Sequence, residues 1–128
     1  VHFAMGVPGV SETDPQRWAA RVLNLLLGGG MSSRLFQEIR EKRGLCYSIG
    51  SEAMSFREGG MVVIYADTSP EHVGAIRDLV ARELVRLVED GPEEAELERA
   101  RQQVRAASLL ALDDMGTRAN RLAGSLLF

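Results

Sequence analysis

A chain of 128 residues, 45% hydrophobic and 26% charged, suits one folded domain with a single core and is too balanced for a disordered segment. The net charge of −3 comes with fourteen dispersed arginines and one lysine, Lys42, which speaks against nucleic acid as the main partner. The longest apolar run, Ala106 to Leu112 with Ser108 inside it, is far too short to span a bilayer, so no membrane association is expected.

Cys46 is the only cysteine, which rules out an internal disulfide and fits a cytoplasmic setting. Both ends are apolar, Val1 at one and Leu126-Leu127-Phe128 at the other, although free ends normally sit in water. Residues 1–128 therefore read as a single partial domain of a longer protein, and the apolar C-terminal residues predict self-association of the piece.

In chain order, Val1 to Val10 predicts a strand with Val1, Phe3, Met5 and Val7 on one face, ended by Pro8-Gly9. Thr13-Asp14-Pro15-Gln16 reads as a helix start, with Thr13 or Asp14 as N-cap and Gln16 closing a capping box. Trp18, Val22, Leu25 and Leu26 recur at helical spacing, and Gly28 stands where a left-handed C-terminal residue is expected. A second helix starts from Ser32 or Ser33, carries Leu35, Phe36 and Ile39 inward, and stops at Gly44.

Leu45 to Phe56 and Met61 to Asp67 predict a hairpin through Arg57-Glu58-Gly59-Gly60. Met61 to Ala66 is apolar on both faces, which marks a central strand. Ser69-Pro70-Glu71 opens a third helix with Val73, Ile76, Val80, Leu84 and Leu87 in its stripe. Gly91-Pro92 breaks it, and one last helix runs through Leu97, Ala100, Val104 and Ala107 toward the C-terminus. The order predicts an α+β sandwich, an antiparallel or mixed sheet with helices packed on one face.

Few groups offer chemistry. His2 and His72 stand 70 positions apart, and Glu71-His72 are neighbours that cannot project from one helical face, so no metal ligand set is read here. Cys46 falls inside a strand, where a thiol packs rather than attacks. Gly28-Gly29-Gly30 follows a helix and precedes no lysine, so it reads as a chain reversal rather than a phosphate cradle. Glu93 to Glu98 and the arginines from Arg99 to Arg105 read as a solvated helix face. Arg40 and Tyr47 stand one on each side of the Gly44 turn; a guanidinium fork suits a peptide carbonyl and a phenol suits an oxyanion, but the pattern alone reads Arg40 as a solvated helix residue paired with Glu38 or Glu41 and Tyr47 as half-buried strand filler.

The segment from Leu27 to Ser48 holds Gly28-Gly29-Gly30, Ser33-Arg34-Leu35-Phe36, Arg40-Glu41-Lys42 and Gly44-Leu45-Cys46-Tyr47 in that order. It resembles the signature of the non-catalytic, C-terminal domain in the pitrilysin/insulinase family of zinc metallopeptidases, which includes the mitochondrial processing peptidase. The likeness is densest between Leu23 and Ser51 and extends in pattern from Val1 to about Leu122.

The resemblance implies the two-layer fold of the processing peptidases. It also implies a clamshell parent that cleaves peptides or unstructured segments, with zinc held on an H-x-x-E-H motif in a homologous N-terminal domain or subunit. Arg40 and Tyr47 would then bind the peptide, with Tyr47 stabilising the transition state, and this piece would hold no metal and be inactive alone. Relatives that act as core scaffolds in the cytochrome bc1 complex, or as partner subunits bearing only the Arg/Tyr pair, define the alternative.

Overall fold

A computed structural model describes residues 1–127, with side chains through residue 126. Of the three apolar C-terminal residues, the side chains of Leu127 and Phe128 lie outside the described residues; Leu126 is 86% exposed.

Three strands, β1 (His2–Gly9), β2 (Cys46–Ser55) and β3 (Gly60–Thr68), form one antiparallel sheet in the order β1-β3-β2. β3 is central, as its two-sided apolar sequence and its β-branched residues predict. Ile64 of β3 stands opposite Met5 of β1 and Ser51 of β2, and alternation along each strand sorts the faces from there. Phe3, Met5, Ile49, Ile64 and Ala66 face the core. His2, Ala4, Gly6, Pro8, Met61, Tyr65, Glu52 and Met54 lie on the opposite face, exposed.

The inner face packs against α2 (Val73–Asp90) through Ile76, Leu79, Val80 and Leu87, and against Leu35 and Ile39 of the short helical segment before β2. The first helix, α1 (Arg17–Gly28), buries Leu26 and Leu27 and runs beside β2, where the Ser51 hydroxyl donates to Asn24 Oδ1 at 2.8 Å.

Several local expectations are corrected. The capping box at Thr13 and Gln16 does not form; the Gln16 amide instead donates to Asp14 Oδ1 at 2.7 Å. Trp18 leaves the apolar stripe and is exposed, with the Arg17 and Arg21 guanidiniums 5.2 and 4.8 Å from its ring centre. Gly28 ends α1 without a left-handed φ, and the following Gly29 has φ −80°. Gly28 is needed for space: a Cβ there would lie 2.6 Å from the Ser51 amide nitrogen of β2.

The second helix is wound as a six-residue π-helical segment, Phe36–Glu41, and neither serine caps it by its side chain. At Ser69 the backbone carbonyl, rather than the hydroxyl, accepts the His72 amide at 3.0 Å, making a short 3₁₀ turn, Pro70–His72, before α2.

The last helix is two helices, α3 (Glu94–Asp113) and α4 (Met115–Leu127). Asp114 separates them because its carboxylate accepts the Thr117 amide at 2.6 Å, capping a new start. At the start of α3, Glu93 and Glu96 form a reciprocal capping box, a use of this acidic run beyond a solvated face.

Candidate functional site

The site grows from the turn at Gly44. Its amide donates to the Arg40 carbonyl at 2.9 Å, and the next amide, Leu45, reaches back to Ile39 at 3.1 Å. Closing this nest requires φ +61° at residue 44, a conformation that glycine adopts without steric cost. The turn sends the chain from the π segment straight into β2. Thr68 Oγ1 donates to the Leu45 carbonyl and fastens that start to the end of β3.

Arg40 is half-buried in the last turn of the π segment, its guanidinium 4.7 Å above the Phe36 ring centre. Among the described residues no carboxylate pairs with it. Glu38, two residues before it, is taken by Lys42 and by Arg43, whose Nη1 lies 2.8 Å from Glu38 Oε2. Hydrogen bonds from Lys42 and then Arg43 hold the Glu38 carboxyl below its ordinary range. The Arg40 N–H donors are therefore free of a competing acid.

Tyr47 follows from a different device. The β2–β3 register passes from Cys46 opposite Thr68 to Ser48 opposite Asp67, so Tyr47 is the extra residue of a β-bulge. Bulges re-aim side chains and cluster beside functional sites. Here the phenol is 84% exposed and lines an open groove of about 420 Å³ with His2, Gly44, Cys46, Asp67 and His72. Arg40 is not part of that lining. Burial pushes the Cys46 thiol up, and the Arg40 charge offsets part of that. The two candidates stand on either side of the Gly44 turn, with no hydrogen bond between them.

The groove also holds a network that sequence reading missed. Ser48 Oγ donates to Asp67 Oδ2 at 2.7 Å, and His2 Nδ1 pairs with Asp67 Oδ1. These contacts, Ser48 first, hold the Asp67 carboxyl below its ordinary value. The signal was faint, because the three residues meet only through strand register.

Among the described residues no three His, Cys, Asp or Glu side chains converge as a metal site, and His2 has a ring nitrogen committed to Asp67.

Arg34 was also missed. It grips Glu96 with a fork, Nε to Oε1 and Nη2 to Oε2, both at 2.8 Å, and Nη2 donates to the Gly91 carbonyl at 3.2 Å. Its Nη1 lies 4.0 Å from Glu83 Oε2, and the Glu83 side chain is only 4% exposed. The hydrogen bonds to Glu96 raise the arginine pKa further. A signal did exist: Glu83 interrupts the apolar stripe of α2 between Val80 and Leu87, and a buried acid needs a cation.

Residues 1–104 match the family described as the peptidase M16 inactive domain. The chain belongs to that family.

The likeness read from Leu27 to Ser48 therefore holds at the level of the family. This M16 inactive domain is 44% identical over 126 residues to an uncharacterised zinc protease of Streptomyces coelicolor, covering 98% of the chain and 28% of that relative. It is 33% identical over 120 residues to an uncharacterised zinc protease of Bacillus subtilis, covering 94% of the chain and 29% of the relative. The chain thus spans under a third of the length of these relatives.

Solved structures agree. The crystal structure of a peptidase M16 inactive domain from Pseudomonas fluorescens superposes with a TM-score of 0.77 at 29% identity, covering 84% of this chain and 26% of that one. A conserved protein from Enterococcus faecalis gives 0.91 at 23% identity, covering 99% and 30%, and there the likeness is one of fold.

Proposed function

We propose that this M16 inactive domain is the substrate-binding half of a zinc-dependent metalloendopeptidase. The parent cleaves peptides or unstructured segments in a chamber closed by an N-terminal zinc-bearing domain or subunit, which holds the metal. Arg40 and Tyr47 bind the peptide, and this piece by itself cleaves nothing.

One observation carries the reading. Tyr47 is pushed out of the β2–β3 ladder by a bulge and stands in an open groove, where a buried strand tyrosine would have packed. A phenol so presented donates to negative charge that forms on a scissile carbonyl, and a donor of this kind acts in the transition state. Arg40, stacked on Phe36 and unclaimed by an acid, offers its N–H fork to a neighbouring peptide carbonyl and acts in the ground state as well.

The test uses the full-length parent with its zinc-bearing part. Tyr47→Phe should lower kcat on the order of 100-fold with the thermal midpoint unchanged, since the exposed hydroxyl holds nothing in the fold. Arg40→Ala should raise KM as well as lower kcat. Near wild-type turnover in both variants would overturn the reading and leave the domain a scaffold.

A further inference from the structure

Tyr65 has no part in the reading so far. It sits on the outward face of β3, opposite Ala4 of β1 and Gly50 of β2. Its ring lies across Gly50, where a Cβ would come within 2.8 Å of the phenol oxygen and 3.0 Å of Cζ. Gly50 has no left-handed φ, so glycine at this position makes room for the ring and serves no turn. The hydroxyl takes no part in the polar contacts of this face, which run from Ser48 and His2 to Asp67. The side chain is 45% exposed.

Directly across from it and at one diagonal the face is bare: Ala4, Gly6 and Gly50 present at most a methyl group, while the longer His2 and Glu52 stand at two of the other diagonals, so an extended chain laid between them reaches the Tyr65 phenol. The face also continues into the groove of Tyr47: His2 and Asp67, which line that groove, are a cross-strand pair two residues from the Ala4–Tyr65 pair.

We propose that Tyr65 is a second substrate-binding group, contacting an extended peptide about three residues from the one that meets Tyr47. This rests on the reading of Tyr47 given above. The spacing comes from β2, where Gly50 lies three residues beyond Tyr47 and the bulge shortens the first of these steps, so the separation along the strand is about 7–10 Å at roughly 3.3 Å per residue. An extended substrate advances by the same step. The phenol both donates to a peptide carbonyl and accepts from an amide, and its ring offers an apolar surface to the side chain of that residue.

The experiment uses the full-length parent and a nested series of unstructured peptides, shortened one residue at a time from each end. Tyr65→Phe should raise KM about fivefold, the worth of one neutral hydrogen bond, for peptides that reach the subsite. Peptides ending short of it should be unaffected, which a merely structural role would not produce. Gly50→Ala, which pushes the ring aside, should show the same length dependence, with thermal melts separating it from unfolding. If Tyr65→Phe changes all lengths alike or none, while Tyr47→Phe still costs turnover, the inference fails and the reading of Tyr47 stands. If Tyr47→Phe is silent, that reading falls and the spacing measured from it falls too.

Discussion

Arg34 shows how much one side chain decides. It leaves the chain just before the π segment and ties that segment to the Gly91 carbonyl, to Glu96 of α3 and toward Glu83 of α2. Arg34→Ala would strip the half-buried Glu96 carboxylate of its fork and leave the buried Glu83 to Arg86 alone, at a cost of roughly 2 kcal/mol, measurable by chemical denaturation. Arg34→Lys keeps the charge and loses the fork, so it should fall between wild type and alanine. The same pair sets a pH dependence. Hydrogen bonds from Arg34 hold the folded-state Glu96 carboxyl below its ordinary value of 4.5. The unfolded state binds that proton more readily, so the contribution is complete above the ordinary value and is lost as pH falls through the lower folded one. The thermal midpoint should drop on acidification across this window, and Glu96→Gln should flatten the drop.

Among the elements, the glycine run and the π segment act together. Gly28, Gly29 and Gly30 look alike in sequence and stand in unlike places: a Cβ on Gly28 meets the β2 backbone at 2.6 Å, and one on Gly30 meets nothing within 4 Å. Gly28→Ala should therefore cost roughly 1–3 kcal/mol by overpacking, whereas Gly30→Ala should be close to neutral. Equal effects in a urea titration would show that the run is needed for its turn and not for the approach of α1 to β2. The π winding matters for the same reason. It places Arg40 at the last turn, and the Gly44 nest then delivers Tyr47 to the bulge.

In the molecule as a whole, the last two described helices leave large apolar side chains exposed. Met115, Leu122 and Leu126 recur at seven and four residues along α4 and are exposed, and Leu109, Leu110 and Leu112 are exposed at the end of α3. A helix with such a stripe normally buries it. The 128-residue chain should therefore associate with itself through α3 and α4, seen as a rise in sedimentation coefficient with concentration. Leu122→Glu should abolish the rise, and a monomer at every concentration would overturn this expectation. No described helix is long and apolar enough to cross a membrane, so a bilayer-spanning helix does not account for this surface.

Signals confined to a few residues were legible in the amino-acid order. Alternation in Val1 to Val10, the two-sided apolar run Met61 to Ala66, the hairpin residues Arg57 to Gly60 and the stop at Gly91 predicted the strands, the antiparallel β2–β3 hairpin and the end of α2, while the antiparallel partner of β1 came only from the fold. The family was legible too, in the motifs from Leu27 to Ser48. Tertiary structure decided what depends on residues far apart in the chain. Arg34 meets Glu96 across 62 positions and His2 meets Asp67 across 65, and no local pattern announces either meeting. The bulge at Tyr47 arises only once Cys46 and Ser48 have taken their partners on β3, and the room that Gly50 leaves for Tyr65 exists only across two strands. Periodicity and turn chemistry act over one turn or one strand, whereas the aim of a side chain is set by whatever the folded chain packs against it.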